Sequence, residues 1–414
     1  MRKVITAIQL PVDTVRNEGI IKDIGQLDEF DFDTEVKRMN LNFYMPTRVI
    51  MGEDCIRKQS ALMKDFGRKA FIVTGASSAA KTGALKDITE ALESQGIVYD
   101  IYDKIRSNPS VESVYEGADR ARQFGSNYVI GIGGGSPMDA AKAIALLTIQ
   151  DVREEELFAG NYIGGALPIV LVPTTAGTGS EVTPYSILTN DIKQTKTSIS
   201  TPLLFPKIAF LDARYTMTLP MMETVHTAFD AFSHAIEGML TNKATELTDQ
   251  IALESIERIA YCMKQLTHAK PNSENSLLSL SIREKLLSGS LLAGIVIAHT
   301  GTTAVHSMGY CLTYFKNVDH GRANALLLPS FLRFYAKSDP EPIKRMLSAA
   351  GAASMDEFEA IFLRLLGERE EITQKELERY ITIAAQAKNV LNSKVTPTRE
   401  DMEFIYTRSL KIIY

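Results

Sequence analysis

The sequence predicts an α/β half built on a parallel sheet, followed by an all-α half. Three observations carry that expectation. Between about residues 40 and 210, short apolar runs alternate with amphipathic helical patterns, the rhythm of strands joined through helices. Beyond about residue 213 the strand patterns stop and long stretches of helical periodicity take over. At 414 residues the chain also exceeds what one hydrophobic core comfortably organises. We therefore divide it into an N-terminal extension (1–38), an α/β domain (39–212) and a helical domain (213–414).

Residues 1–38 are polar and turn acidic toward their end (QLDEFDFDTE), with no pattern linking them to the rest of the chain. NLNFYMPTRVIMG alternates and reads as a strand or hairpin. KAFIVTG reads as a strand, LKDITEALESQG as an amphipathic helix closed by Gly96, and IVYDIYD, NYVIGI, LPIVLVP and KIAFLD as further strands. In the second half, ATELTDQIALESIERIAYCMKQL, IREKLLSGSLLAGIVIAHTGTTAVHSM and QKELERYITIAAQAKNVL each carry a helical period. Thr398 with Asp401 forms the pattern of a capping box opening the last helix.

Composition narrows the class. A hydrophobic share of 45%, 23% charged residues and a net charge of −5 give no basic surface for nucleic acid or anionic lipid. No apolar run approaches the roughly 18 residues that span a bilayer, and the N-terminus lacks a secretory pattern. Cys55, Cys262 and Cys311 form no CxxC pair and read as reduced thiols of a cytoplasmic protein.

Two loops and one cluster carry chemistry. In NYVIGIGGGSPMDAAKAIALL a strand ends at Ile132, glycines come next, and a helix begins with Ser136 as N-cap, Pro137 in the first turn and Asp139 near the positive helix end. Free N–H groups there suit a pyrophosphate, although the spacing is neither GxGxxG nor a Walker loop; a ligand-free turn is the alternative. VPTTAGTGSEVTPYSIL succeeds another strand and sets Thr174, Thr175, Thr178 and Ser180 around two glycines, and two such loops in one sheet favour a dinucleotide. Asp230 and His234, four apart in HTAFDAFSHAIEGM, share one helix face. His306 and His320 come later, His320 at a loop or helix start. Three imidazoles and a carboxylate form a ligand set for a first-row divalent metal, and the chain has only six histidines.

GGGSPMDAAKA, PTTAGTGSEVT, DAFSHAIE and the AVH…HG pair occur in the order and spacing of the iron-containing (group III) alcohol dehydrogenases, within the dehydroquinate synthase-like superfamily. From about residue 40 onward the chain resembles that family. The resemblance implies a cleft between the halves, with Asp230, His234, His306 and His320 holding the metal. It implies pyrophosphate contacts from Gly134, Gly135, Ser136 and Asp139, and a phosphate and nicotinamide lining from Thr174, Thr175 and Thr178. Lys196 aligns with a lysine near the cofactor ribose, and Asn108 with a further cofactor contact.

Gly75 stands where NAD-restricted members often carry an acidic residue. Ser77, Ser78 and Lys81 are close by in sequence, which favours NADP(H) over NAD(H). Tyr310 stands where many members carry a further histidine, so a phenol replaces an imidazole on the proton path. Four protein ligands would fill a tetrahedral zinc site, so a substrate position favours Fe²⁺, with Zn²⁺ the alternative. His226 is a candidate partner of Asp230. His299 shares the face of His306 if their helix is continuous, and His268 reads as solvated.

The implied reaction is metal-assisted hydride transfer between a small primary alcohol, diol or aldehyde and NAD(P), in a homodimer or larger homo-oligomer. A glycerol dehydrogenase-like enzyme has fewer protein ligands to its metal. A metal-dependent hydrolase would use the same cluster but needs no dinucleotide loops.

Overall fold

The computed structural model describes residues 41–268 and 278–413; the extension 1–38 lies outside the described residues. Residues 43–414 form one compact unit. Its first part holds six parallel strands: β1 (Arg48–Met51), β2 (Lys69–Thr74), β3 (Val98–Tyr102), β4 (Tyr128–Gly133), β5 (Ile169–Pro173) and β8 (Ile208–Leu211). The spatial order is β1-β8-β5-β4-β2-β3. The expected strands are all present, and NLNFYMPTRVIMG supplies a single edge strand, pairing parallel with β8 instead of folding on itself.

Both sheet faces are covered, which is why these strands read as nearly continuous apolar runs. Phe71, Val73, Val129 and Leu171 pack into one core, while Ile72, Ile130, Val172 and Phe210 pack into another on the opposite face. Burying each such side chain contributes about 1.5–3 kcal/mol. The flanking helices are α1 (Cys55–Lys58), α2 (Ser78–Lys81), α3 (Ala84–Ser94), α4 (Val111–Phe124) and α5 (Gly135–Ile149).

The chain moves outward from β2 to β3, then returns to the other side of β2 with β4. That reversal leaves a crevice at the carboxyl ends of β2 and β4, where open α/β sheets bind ligands. Gly75 succeeds β2 and the glycine-rich turn succeeds β4, so both expected loops border the crevice.

Between β5 and β8 the chain forms an antiparallel hairpin, β6 (Tyr185–Asn190) with β7 (Thr195–Ser200), which the sequence pattern did not predict. The half-buried alternation along β6 is a strand signal that the nearby threonine-rich loop obscured.

The second part is built from α6 (Met221–Met239), α7 (Glu246–His268), α8 (Leu280–Thr300), α9 (Ala304–Lys316) and α10 (His320–Tyr335). It continues through α11 (Glu341–Ala349), α12 (Met355–Leu366), α13 (Gln374–Ala384), α14 (Lys388–Leu391) and α15 (Arg399–Ser409). The capping box of Thr398 and Asp401 opens α15. Two three-residue strands, Glu371–Thr373 and Lys411–Ile413, pair within this helical part.

The stretch whose period suggests one helix from 282 to 308 is two. Gly301 takes φ +68°, and α8 and α9 meet at a bend of 111°. His299 therefore does not share a helix face with His306. No single described helix is long and apolar enough to cross a membrane. His268 ends α7 instead of lying in a loop, and its side chain is outside the described residues.

Candidate metal and cofactor site

The two loops touch each other. Gly134 takes an extended backbone and α5 starts at Gly135, so Ser136 lies inside the first turn instead of capping it. The Ser136 hydroxyl accepts from the Asn108 N–H at 3.2 Å, with Asn108 in a left-handed turn at φ +58°. A β-carbon on Gly135 would sit 2.6 Å from Thr178 Cγ2, and one on Gly134 would sit 3.3 Å from Thr175 Cγ2. The missing side chains let the β5 loop lie directly on the turn.

Beneath this contact is a buried polar joint. Asp139 accepts from Ser180 Oγ at 2.6 Å and from Ile187 N at 3.1 Å, which turns its carboxylate into the protein. Lys142, fully buried, donates to Ser180 Oγ at 2.8 Å, Thr183 Oγ1 at 3.2 Å and the Tyr185 carbonyl at 2.7 Å. Burial pushes the lysine down to about 8 against the opposing pull of Asp139. Glu181, buried alongside, is pushed up to about 7, mainly by desolvation.

The same loop reaches the helical part. A β-carbon on Gly177 would meet Thr227 of α6 at 2.8 Å, and the Thr227 carbonyl at 2.9 Å. Three residues along α6 stands Asp230, and His234 comes next on the same face, its Nε2 3.9 Å from Asp230 Oδ1. His306 Nε2, from the first turn of α9, lies 3.8 Å from that oxygen, and His320 Nε2, from the first residue of α10, lies 3.7 Å from it. Donor atoms of Asp230, His234 and His306 all fall within 4.8 Å of one another. A tetrahedral ion with bonds near 2.1 Å would set its ligands about 3.4 Å apart, so the distances to Asp230 fit a divalent ion with slight contraction, while His320, outside the 4.8 Å group, would move inward to join it.

The cluster is held from outside. Glu237 bonds His306 Nδ1 and accepts from Thr303 N at 2.8 Å and Thr303 Oγ1 at 2.6 Å. On the inner side, Asn324 Nδ2 lies 3.1 Å from Asp230 Oδ1 and 3.2 Å from the Nε2 atoms of both His306 and His320, against the same atoms that would hold an ion. His226 pairs through Nδ1 with Asp319 at 2.8 Å, so it braces the residue before His320 instead of Asp230. A β-carbon on Gly321 would collide with the His226 carbonyl, and its absence lets α10 press against α6. Tyr310 stacks on His320 with ring centres 5.0 Å apart and meets His306 edge-on. His299 is committed elsewhere: it stacks on Phe43, donates from Nδ1 to the Ile295 carbonyl and accepts from Tyr44 N at 3.1 Å.

Electrostatics result from this packing. Burial opposes charge on Asp230, but His234, His320, His306 and Asn324 outweigh it and hold the carboxyl at about 2. Burial lowers His234 and, more strongly, His320, with Asp230 only partly offsetting it. Burial acts the same way on His306, yet Glu237 reverses the balance and raises it. Lys196, half-buried on β7, is lowered to about 8 by burial, opposed by the charges of Asp230 and Asp139.

The family profile described as iron-containing alcohol dehydrogenase matches residues 46–213, and that of the Fe-containing alcohol dehydrogenase C-terminal domain matches residues 224–410. The chain belongs to the iron-containing alcohol dehydrogenase family. It is 31% identical over 300 residues to a sulfoacetaldehyde reductase of Bilophila wadsworthia, covering 72% of this chain and 76% of that protein. It is 33% identical over 289 residues to a lactaldehyde reductase of Escherichia coli, covering 69% and 72%. A crystal structure of an iron-containing alcohol dehydrogenase from Thermotoga maritima superposes with a TM-score of 0.81 at 38% identity, over 89% of this chain and 99% of that one. As a member of this family the protein is an oxidoreductase of the alcohol dehydrogenase and aldehyde reductase type, with the α/β and helical parts the family shares.

Three residues of the site were not apparent from the sequence: Glu237, Asn324 and Lys142. Asn324 had a signal, since it lies four residues after His320 on the same helix. Lys142 had one too, as the single charge in the apolar run AAKAIALL. Glu237 had none, because its partner is 69 residues away.

Proposed function

We propose that the enzyme interconverts small primary alcohols or diols and aldehydes with NADP(H), using a divalent ion, Fe²⁺ by preference, held by Asp230, His234, His306 and His320. One observation carries this reading. Three imidazole nitrogens converge on Asp230 Oδ1 at 3.7–3.9 Å, with the Thr174–Ser180 loop wedged between that cluster and the glycine-rich turn. Zn²⁺ suits the same donors.

On this reading Gly134, Gly135 and Ser136 present the pyrophosphate cradle, Asn108 lines it, and Thr174, Thr175 and Thr178 line the path toward the nicotinamide. Asp139, already bonded to Ser180 and β6, acts by holding the two loops together. Lys196 carries positive charge between the cofactor ribose and the cluster. When bound, the ion held by Asp230, His234, His306 and His320 would supply Lewis acidity and the nicotinamide would supply hydride chemistry. His234 and His320, kept neutral by burial, offer lone pairs instead of protons. Tyr310, pushed far up by burial, stays protonated at neutral pH and serves as a wall of the site and a hydrogen-bond donor.

NADP(H) is preferred on residues 75–81. Gly75 brings no carboxylate to the β2 end, and Ser77, Ser78 and Lys81 are exposed beside it. Similar enzymes divide on this point: a butanol dehydrogenase of Clostridium saccharobutylicum (30% identical, 75% of this chain) is named NADPH-dependent, and a methanol dehydrogenase of Bacillus methanolicus (29%, 71% of this chain) NAD-dependent.

The same proposal assigns cofactor binding to residues 39–212 and metal binding to 213–414. It takes the protein to be a cytoplasmic homodimer or larger homo-oligomer, in keeping with three free buried thiols.

The test is to purify the protein anaerobically, add Fe²⁺ or Zn²⁺, and follow absorbance at 340 nm with NADPH or NADH and a panel of short aldehydes. Metal-dependent oxidation, faster with NADPH, is expected; none with either cofactor rejects the reading. Lys81→Ala should raise KM for NADPH and spare NADH. This variant is cleaner than Gly75→Asp, whose β-carbon would lie 3.2 Å from the Ile105 carbonyl.

A further inference from the structure

Of the three imidazoles in the cluster, His306 alone meets a carboxylate through its outer nitrogen. The Nδ1 atoms of His234 and His320 have no side-chain partner among the described residues, and His234 lies against the Gly177 backbone. His306 Nδ1 meets Glu237, a fully buried carboxylate whose other oxygen takes two hydrogen bonds from Thr303.

Taken alone, the Thr303 contacts describe a helix cap, since Thr303 is the N-cap residue of α9. A neutral asparagine or serine serves that purpose, and burying a charge is far more costly than burying an amide. The N-terminus of α9 also favours a negative charge, but only the imidazole Nδ1–H ties that charge to the cluster, where a carboxylate on the outer nitrogen fixes the tautomer and raises the basicity of the inner one. With Nδ1–H given to Glu237, the lone pair of His306 falls on Nε2, the nitrogen that faces Asp230.

We infer that Glu237 is a positioning residue for the metal, acting through His306 by fixing its tautomer and supplying the second negative charge of the site. With Asp230 it sets two carboxylate charges against a divalent ion, partly offset by Lys196 nearby. This rests on the metal site proposed above and adds a fifth residue that touches no metal.

The experiment measures Zn²⁺ affinity by competition with a chromophoric chelator, in wild type, Glu237→Gln and Thr303→Val, with thermal unfolding of each metal-free protein as the check on folding. Glu237→Gln keeps the size and an acceptor but removes the charge. It should bind Zn²⁺ about 10- to 100-fold more weakly, whereas Thr303→Val, which removes one hydroxyl donor to Glu237 but leaves its charge, should bind within about twofold of wild type. Equal affinity in Glu237→Gln and wild type overturns the inference and leaves Glu237 a helix cap. A wild type that binds no Zn²⁺ brings down the metal site itself. Should Glu237→Gln not fold, the Zn²⁺-loaded wild type still decides. The His306 Nδ1–H resonance, assigned by its loss in His306→Gln, should lie well downfield of the other imidazole protons, and an ordinary position overturns the inference.

Discussion

The cofactor loops and the metal cluster are neighbours built by opposite means. The loops lie against each other and against α6 because side chains are missing: Gly135 leaves room for Thr178 and Gly177 for Thr227. The cluster holds together because side chains are present and charged, with Glu237 bracing His306 and the His226–Asp319 pair bracing the start of α10. The loops should therefore tolerate lost polarity better than added volume. The cluster should tolerate a lost charge least of all.

The largest effect falls on the cluster. His306→Ala removes a donor and leaves Glu237 buried without its imidazole, so metal affinity should fall by more than ~100-fold, beyond the range for supporting residues. Metal content after dialysis checks this, and full retention would remove His306 from the ligand set.

On the loop side, Gly177→Ala should cost about 1–3 kcal/mol of stability, the usual cost of overpacking. Gly165→Ala, where nothing lies within 4 Å of the new β-carbon, should cost far less. Equal shifts in thermal midpoint would mean that space is not what holds the loop.

A smaller effect tests the one place where the loops resemble the cluster, the buried charges beneath them. Glu181 has its folded value raised to about 7 by burial. Its folded form therefore holds the proton more tightly than the unfolded chain does. That stabilisation is complete below the unfolded value, near 4.3, and is lost as pH rises through about 7. Glu181→Gln has no such loss, so its midpoint relative to wild type should rise between pH 5 and pH 8. A constant difference would show that Glu181 does not titrate in this window.

The smallest effect is at Tyr310. With its phenol pushed far up and its ring stacked on His320, Tyr310→Phe should change kcat by less than about threefold and leave the pH–rate profile in place. A displaced limb would make the hydroxyl a proton carrier.

The same contrast between loops and cluster decides what was legible in the sequence. The loops announce themselves locally, since glycines and threonines at strand ends need no distant partner to be read. Asp230 and His234 were equally local, four apart on one helix. His306 and His320 were readable through their spacing and residue type. The supports were not, because a carboxylate on α6 means nothing until α9 arrives beside it. The break at Gly301 is illegible in the sequence for a related reason: the apolar period runs through TGTTAVH, while one left-handed glycine turns the chain. That turn separated His299 from the site and gave His306 its place in the first turn of α9.

Everything proposed for the cluster depends on Asp230, His234, His306 and His320 binding one ion. X-ray absorption at the iron edge of anaerobically Fe²⁺-loaded protein tests it directly. The expected spectrum is a single shell of nitrogen and oxygen donors near 2.0–2.2 Å with the outer-shell scattering of three imidazoles, falling to two in His320→Ala. An imidazole count that is the same in both proteins would contradict it.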